Sequence, residues 1–221
     1  MSEANNFLRL EDVEVHFPVR GGVFRKAIGA CKAVDGVSFS LKEGQTLGLV
    51  GESGCGKSTL AKAIVRLVKP TSGKITFREY PSDDSLVKKD FCKSVQMVFQ
   101  DPAESLNTRM TVGSILREPL DIHNIGSKNE RPGQVSELLK KVGLPESAAK
   151  RYPFEFSGGQ RQRIGIARAL ALEPDLLVLD EPVSALDVSV QSQVLNLLME
   201  LQKSLGLSYL LIAHDLAVVR H

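Results

Sequence analysis

The amino-acid sequence predicts an α/β fold built on a mainly parallel β-sheet. Three observations lead to this prediction. Short apolar runs alternate with stretches of helical periodicity, a glycine-rich loop joins one such run to a helix, and four apolar runs each lead to a polar residue. Because a parallel sheet brings the carboxyl ends of its strands to one edge, we expect one functional site at that edge.

Four uninterrupted apolar runs are predicted to be the strands of this sheet. Continuous apolar sequence of this length is typical of strands whose two faces are both covered. The runs occupy residues 46–50, 95–99, 176–179 and 209–213.

Two amphipathic helices accompany these strands, because apolar residues recur at helical spacing in two places. The first apolar face consists of Leu60, Ile64, Leu67 and Val68. The second consists of Val190, Val194, Leu197, Leu201 and Leu205.

The segment between Gln100 and Ser157 has a different character. It contains the turn-rich sequences DPAESLN and NIGSKNERPG and the amphipathic sequence VSELLKKVGL. We predict a mainly helical lobe inserted into the sheet domain, and we expect the whole chain to form one structural unit.

Composition excludes several classes of protein. The chain has 221 residues, enough for one well-buried core, and its 28 basic side chains nearly balance its 26 acidic ones. It has no tryptophan and no basic stripe interleaved with aromatic residues, so direct nucleic-acid binding is not favoured. Cys31, Cys55 and Cys92 lack metal-ligand spacing and are expected to be free thiols.

No membrane-directed segment is evident in the sequence. The N-terminal residues lack the pattern of a secretory signal, and no apolar run approaches the roughly 20 residues that span a bilayer. We therefore expect a cytosolic protein whose membrane role, if it has one, comes through a partner.

The sequence GESGCGKS has the spacing of a phosphate-binding P-loop, between a predicted strand and a predicted helix. In such a loop the backbone amides surround a phosphate, the lysine adds positive charge and the final hydroxyl can ligate magnesium. A tight glycine turn is the alternative. The residues concerned are Gly51, Glu52, Ser53, Gly54, Cys55, Gly56, Lys57 and Ser58.

Two carboxylates, Asp180 and Glu181, follow the predicted strand at residues 176–179. At the carboxyl end of a strand both can face a ligand crevice. Asp180 suits magnesium, directly or through water, and Glu181 can orient or deprotonate an attacking water. The alternative is a solvated strand end.

Two other predicted strands also lead to polar residues. Gln100 can contact metal or water through its amide, and His214 can hydrogen-bond a phosphate oxygen. Each is a weak signal alone, since a lone histidine after a strand is usually structural. His16, His123 and His221 have no such context, and no functional role is predicted for them.

The sequence FEFSGGQRQR combines a capping box with two glycines at a predicted helix start. Ser157 and Gln160 have the capping-box spacing. Gly158 and Gly159 each weaken the helix by roughly 0.8–1 kcal/mol relative to alanine, so they need another reason. A bare backbone at a helix N-terminus suits the close approach of an anion.

Together these motifs resemble the ATP-binding subunits of ABC transporters. The resemblance rests on GESGCGKST, Gln100, FSGGQ, LLVLDEP, SALD and His214, in this order, and covers essentially the whole chain. It implies a P-loop NTPase sheet core, RecA-like with mainly parallel strands, an N-terminal antiparallel β portion and an inserted helical subdomain. The core lobe would comprise residues 1–100 and 161–221, and the helical signature subdomain about 101–160.

The resemblance implies ATP and Mg²⁺ as cofactors and gives the motifs their roles. The P-loop residues through Thr59 would contact the nucleotide, and magnesium would be held by Ser58, Gln100 and Asp180. The catalytic residues would be Glu181 as base, His214 at the γ-phosphate and Gln100.

Other nucleotide contacts implied by the resemblance come from outside the P-loop. Ser157, Gly158, Gly159 and Gln160 would face the ATP held by an opposing subunit. Asp187 is carried over as a nucleotide contact, although it could simply cap the following helix. Phe17 would stack on adenine, with a core phenylalanine as the alternative.

Three stretches resemble one branch of the family more narrowly, the bacterial importers of dipeptides and oligopeptides. These are FQDPAESLNTRMTVGSILREPL, GGVFRKAIGACKAVDGVSF and AHDLAVVRH. Related nickel, glutathione or phosphonate systems are alternatives, and a soluble ABC ATPase acting on DNA or ribosomes is a further one.

The partners implied by this branch are a second ATPase subunit, a paralogue rather than an identical chain, in a head-to-tail dimer, together with two membrane-spanning permeases. An extracytoplasmic substrate-binding protein would act indirectly. The expected location is the cytoplasmic face of the bacterial inner membrane. The chain ends seven residues after His214, where family members continue, so we expect a domain truncated at its C-terminus.

Overall fold

Two four-stranded β-sheets and seven α-helices are present in the computed structural model, which describes residues 7–21, 26–78, 80–81 and 85–215. His221 and parts of the importer-like stretches, namely residues 22–25 and 216–221, lie outside the described residues. The strands are β1 (Leu8–Gly21), β2 (Lys26–Leu41), β3 (Thr46–Val50), β4 (Ser72–Phe77), β5 (Tyr80–Pro81), β6 (Val95–Val98), β7 (Leu176–Asp180) and β8 (Ser208–Ala213).

The helices lie mainly in the second half of the described chain. They are α1 (Lys57–Ile64), α2 (Ser85–Ser94), α3 (Pro102–Ser105), α4 (Val112–His123), α5 (Arg131–Lys141), α6 (Gly158–Leu170) and α7 (Val188–Leu205). Two short 3₁₀ segments, Glu146–Lys150 and Pro153–Glu155, connect α5 to α6. No helix among the described residues is both long and apolar enough to cross a membrane.

The four predicted strands form one parallel sheet in the order β3-β8-β7-β6. Their predicted positions are confirmed with small changes at the ends. Strand β6 stops one residue early, β7 extends to Asp180, and β8 begins at Ser208. Since neighbouring strands run in the same direction, their carboxyl ends meet at one edge, as the sequence predicts.

The N-terminal part forms a separate antiparallel sheet in the order β2-β1-β4-β5. This agrees with the antiparallel β portion expected from the resemblance. Strand β1 carries Phe17, which lies opposite Cys31 of β2.

The parallel sheet separates two apolar cores, and alternate residues of each strand point to opposite cores. In β7, Leu176 and Val178 join the core formed with the antiparallel sheet and α1. Leu177 and Leu179 join the core formed with α4 to α7. Burial on both faces explains why the strands read as uninterrupted apolar runs.

The segment between Gln100 and Ser157 is helical in all its regular elements, as predicted. Its buried side chains, such as Leu116 of α4 and Leu139 of α5, share one core with Ile164 of α6. The division into lobes at residues 100 and 160 stays a prediction.

The predicted apolar face of the first helix is wrong at its C-terminal end, because the helix stops before the last two predicted residues. Helix α1 ends at Ile64, and Leu67 is 61% exposed. The backbone turns at Arg66, which has φ of 62°, and the amides of Leu67 and Val68 both donate to the carbonyl of Lys62. The second face is correct in α7 except at Leu205, which is exposed in the last turn.

Candidate functional site

The P-loop residues form a turn between β3 and α1 that requires glycine at two positions. Gly54 and Gly56 have φ of 80° and 96°, values that other residues rarely adopt. A Cβ at Gly56 would lie 1.9 Å from the carbonyl oxygen of Ala33, so β2 directly supports this loop.

Lys57, the first residue of α1, directs its side chain back into the loop. Its ammonium group donates hydrogen bonds of 2.7 Å to the carbonyl oxygens of Gly51 and Glu52, and it lies 3.7 Å from the sulfur of Cys55. The side chain is buried. A positive charge is therefore held within the loop, in a place where it can attract a phosphate.

Ser58 and Asp180 are brought together although 122 positions separate them in the sequence. The Ser58 hydroxyl donates a hydrogen bond of 2.9 Å to the Asp180 carboxylate. Burial raises the pKa of Asp180, the Ser58 hydrogen bond opposes this effect, and nearby Glu181 adds to it. A cation would relieve the cost of keeping this buried carboxylate ionised.

Gln100 and Glu181 form a second pair at the same edge of the sheet. The amide nitrogen of Gln100 donates to a carboxylate oxygen of Glu181 across 2.9 Å. The Gln100 carbonyl oxygen thereby stays available to a ligand. Glu181 adopts a positive φ of 44°, and its backbone is held by Ile212 and by the hydroxyl of Ser184. Such backbone strain clusters at functional sites.

Glu181 and His214 line one small cavity of about 150 Å³. They follow adjacent strands, β7 and β8, which explains why the fold brings them together. Ser184 and Gln191 also line this cavity, and neither was predicted from the sequence. A serine three residues after a strand and a glutamine on a helix carry no sequence signal of their own.

The donors near the P-loop fit a hard cation. A groove of about 720 Å³ is lined by Ser58, Gln100 and Asp180, among others. These side chains offer a hydroxyl, an amide and a carboxylate oxygen, the ligand types that Mg²⁺ prefers. The P-loop adjoins this set through Ser58.

The capping box at the start of α6 is present as predicted. The Ser157 side chain accepts from the amide of Gln160 at 3.4 Å, and the Gln160 side chain accepts from the amide of Ser157 at 3.1 Å.

Tertiary packing also requires the two glycines, a reason that sequence reasoning missed. A Cβ at Gly159 would lie 2.3 Å from Cγ1 of Val190, and one at Gly158 would lie 3.2 Å from Leu186. The beginning of α6 is therefore packed against the beginning of α7. No local sequence pattern pairs these two helix starts, because their contact is tertiary.

Asp187 occupies the N-cap position of α7, but its side chain makes no capping hydrogen bond. The preceding residue, Leu186, is held instead through its carbonyl oxygen, which accepts from the Gln191 side chain at 2.9 Å. Since Asp187 is exposed and does not cap the helix, its side chain is available to a ligand or partner.

Phe17 is 43% exposed, so the alternative of a core phenylalanine is wrong. It lies on β1, whose partner strand β2 supports the P-loop at Ala33. An exposed aromatic ring can stack on a planar ligand.

Comparison with known proteins agrees with this geometry. The profile of the ABC transporter family matches residues 34–184. The oligopeptide transport ATP-binding protein AppF of Bacillus subtilis is 57% identical over 100% of this chain and 69% of its own length. The oligopeptide transport ATP-binding protein OppF of Escherichia coli is 53% identical over 97% of this chain and 66% of its own length. The chain thus spans about two thirds of these relatives.

Solved structures show the same fold. The ATP-binding cassette MJ0796, a dimer in a post-hydrolysis state bound to ADP and Pi, superposes with a TM-score of 0.82 and 30% identity, covering 96% of this chain and 90% of that one. The protein cbiO1 of Clostridium perfringens, part of the ABC transporter complex cbiONQ, gives 0.79 and 29%, covering 98% and 81%. The family match, the similar relatives and the P-loop with its strand-end carboxylates agree, and this protein belongs to the ABC transporter family.

Proposed function

We propose that this chain is the ATP-binding and ATP-hydrolysing subunit of an ABC importer for dipeptides or oligopeptides. The observation that carries the proposal is the convergence of two pairs, Ser58 with Asp180 and Gln100 with Glu181, beside the P-loop. The relatives named for oligopeptide transport support the choice of cargo.

The P-loop amides and Lys57 bind the phosphates of ATP in this proposal. Ser58, Asp180 and Gln100 would hold Mg²⁺, which would neutralise phosphate charge. Lys57 exchanges its bonds to the loop carbonyls for contact with phosphate oxygens, which keeps its buried charge paired.

Glu181 is the general base in this mechanism. Its carboxylate orients the attacking water and accepts a proton from it, while the Gln100 amide fixes one carboxylate oxygen. His214, in the same cavity, donates a hydrogen bond to the γ-phosphate. Phe17 stacks on the adenine ring.

A second ATPase subunit completes the site. Ser157, Gly158, Gly159 and Gln160 would face the ATP of that subunit across a head-to-tail interface, with Asp187 nearby on α7. The dimeric state of MJ0796 supports such an arrangement. We infer a paralogue rather than a second copy as the partner.

Two permease subunits would link ATP hydrolysis to transport, with a substrate-binding protein acting through them. The groove beside Gln100 is also lined by Glu104, Ser105 and Pro119 of the helical segment, so it offers both polar and apolar contacts. We place a short permease helix there, which lets the nucleotide site affect the partner. The chain would then be peripheral to the cytoplasmic face of the bacterial inner membrane.

The domain boundaries follow from the same proposal. Residues 1–100 and 161–221 form the ATPase core lobe and about 101–160 the helical signature subdomain.

The test is Glu181→Gln in the full-length protein, expressed in a strain that lacks the native gene. We expect the variant to bind ATP normally, to lose at least about 100-fold in hydrolysis and to fail to restore uptake of a labelled tripeptide. Glu173→Gln, which changes a carboxyl in another turn with positive φ, is the matched control and should behave as wild type.

Two results would contradict the proposal at different levels. Wild-type hydrolysis by Glu181→Gln would remove this residue as the base. Normal hydrolysis without restored peptide uptake by the wild-type gene would reject peptide import, and uptake of nickel or glutathione would then identify the related system.

A further inference from the structure

The antiparallel sheet carries a cluster of metal-binding side chains that the proposed function does not use. Glu14 and His16 lie on β1, and Asp35 lies on β2. One potential ligand atom from each lies within 4.8 Å of the other two. We propose that these three residues bind a divalent transition-metal cation, with Zn²⁺ as the reference ion.

The distance between His16 and Asp35 matches that of a small coordination sphere. Ligand bonds of about 2.0–2.2 Å in tetrahedral geometry place neighbouring ligand atoms about 3.3 Å apart. Nε2 of His16 lies 3.3 Å from Oδ1 of Asp35 and 3.9 Å from Oε2 of Glu14. A small rotation of the Glu14 side chain, which is 35% exposed, brings its oxygen into range.

The backbone beneath the cluster is firmly held. The amide of His16 donates to the hydroxyl of Thr71 at 2.8 Å, and the carbonyl oxygen of Glu14 accepts from the Thr71 amide at 2.7 Å. Glu14 and His16 are two residues apart on one strand, so their side chains share a face. These bonds hold the backbone of Glu14 and His16 in place without the ion.

Lys32 shows how the negative charge of the cluster is balanced without a metal. Its ammonium group lies 3.3 Å from Asp35, and it faces His16 across the β1–β2 pair. Both carboxylate oxygens of Asp35 accept hydrogen bonds from this ammonium group, at 3.4 and 3.3 Å, so the carboxylate is paired with a positive charge. A divalent ion would compete with Lys32 for Asp35.

The donor set distinguishes this ion from the catalytic one. One imidazole nitrogen and two carboxylates suit zinc and its first-row neighbours, whereas Mg²⁺ prefers oxygen ligands alone. The cluster also adjoins residues proposed to bind the nucleotide. On β1, Phe17 directly follows His16. On β2, Ala33 directly follows Lys32, and its carbonyl group lies against Gly56 of the P-loop. A bound ion would therefore clamp β1 to β2 beside the proposed adenine and phosphate contacts.

The experiment is a calorimetric titration of the untagged chain with Zn²⁺, without nucleotide, so that its outcome is independent of ATP hydrolysis. We expect one zinc site. His16→Gln, Glu14→Gln and Asp35→Asn should each lower its zinc affinity at least about tenfold. This loss is at least as large as that caused by removing outer-shell partners of metal ligands. Lys32→Gln keeps all three ligands and should bind Zn²⁺ more tightly than wild type.

Controls separate this site from other zinc binders in the chain. Glu11→Gln on the same strand and His123→Gln in α4 should leave the affinity unchanged. Co²⁺ serves as a spectroscopic probe, because ligation by Cys31, Cys55 or Cys92 would produce a thiolate band that a nitrogen and oxygen site lacks. Zn²⁺ should also raise the thermal midpoint of the wild type but not of His16→Gln.

Equal zinc affinity of the wild type and all three ligand variants would overturn the proposal. A thiolate band in the Co²⁺ spectrum would also overturn it. So would the absence of zinc binding by both the wild type and Lys32→Gln. Folding of each variant is checked by circular dichroism without metal. Lys32→Gln removes no ligand and frees Asp35 from its ion pair, so weaker zinc binding by this variant than by the wild type would contradict the proposal.

Discussion

The amide nitrogen of Gln100 donates a hydrogen bond of 2.9 Å to the carboxylate of Glu181. The two residues follow β6 and β7, which are neighbours in the parallel sheet. This contact joins a predicted magnesium ligand to the predicted base, so we expect the two side chains to act as one unit.

A double-mutant cycle tests this coupling. Gln100→Ala should lower kcat for ATP about tenfold, because the base loses its orientation, and Glu181→Gln should lower it at least about 100-fold. The double variant should be no slower than Glu181→Gln alone, since effects within one unit are not additive. Steady-state ATPase assays provide kcat and KM for each protein.

Gln96→Ala is the control for this cycle, because Gln96 lies on β6 and bonds the carbonyl oxygen of Cys92 instead. Fully additive losses in the double variant would show that Gln100 and Glu181 act independently.

Asp180 should give the chain a characteristic pH dependence of stability. Burial raises the pKa of this carboxyl above the ordinary value of 3.8. The folded state then binds the proton more tightly than the unfolded state, so the free energy of unfolding falls as pH rises through the folded pKa. Asp180→Asn lacks this titration. The difference in unfolding free energy, variant minus wild type, should therefore grow as pH rises above about 4.

Urea unfolding without Mg²⁺ and nucleotide measures this difference at several pH values. Asp90→Asn, at an exposed position, should show a far smaller change with pH. A difference for Asp180→Asn that stays constant or shrinks with rising pH would contradict the prediction. If Asp180 binds Mg²⁺ as proposed, adding Mg²⁺ with ATP should stabilise the wild type more than Asp180→Asn.

Gly159 packs against Val190 and is also proposed to contact a phosphate, and a paired substitution can separate the two roles. Its would-be Cβ lies 2.3 Å from Val190, so Gly159→Ala should destabilise the chain by about 1–3 kcal/mol through overpacking. Adding Val190→Ala makes room for the new methyl group and should recover most of that loss. If the glycine also admits a phosphate from the partner subunit, ATP hydrolysis should stay low in the double variant.

Urea unfolding measures the stability of each variant. ATP hydrolysis is measured in the assembled ATPase dimer. Val190→Ala alone is the control, and it should retain hydrolysis. Full recovery of both stability and hydrolysis by the double variant would mean that Gly159 serves only the packing of α6 against α7.

Phe17 should contribute to nucleotide affinity rather than to the core. Phe17→Ala should weaken ATP binding about tenfold, in keeping with base stacking energies of roughly 1–3 kcal/mol, while Phe17→Tyr should bind as wild type. The loss of stability should be well below the roughly 3–5 kcal/mol of a core phenylalanine, since the ring is 43% exposed.

Calorimetric ATP titration measures this effect, and Val19→Ala is the matched control on the same strand at similar exposure. Unchanged ATP affinity in Phe17→Ala would assign the adenine contact to another residue.

The sequence alone determined the four parallel strands and the two amphipathic helices beside them, α1 and α7. A strand buried on both faces must be apolar throughout, and a helix buried on one face must repeat its apolar residues every three to four positions. These rules act over short stretches of chain, so they identified the strands around Val178 and Leu210. They failed at Leu67, where the turn at Arg66 ends the helix before its apolar pattern does.

Motif spacing also predicted which residues belong to the candidate nucleotide site. Only the tertiary structure determined which side chains are in contact. Ser58 with Asp180, Gly159 with Val190, and His16 with Asp35 are all contacts between separate elements. His16 carried no functional signal in the sequence because its neighbours in the cluster include a residue of another strand. The physical reason is the same in each case: local patterns record which face of an element is buried, whereas distances between side chains depend on how the elements pack.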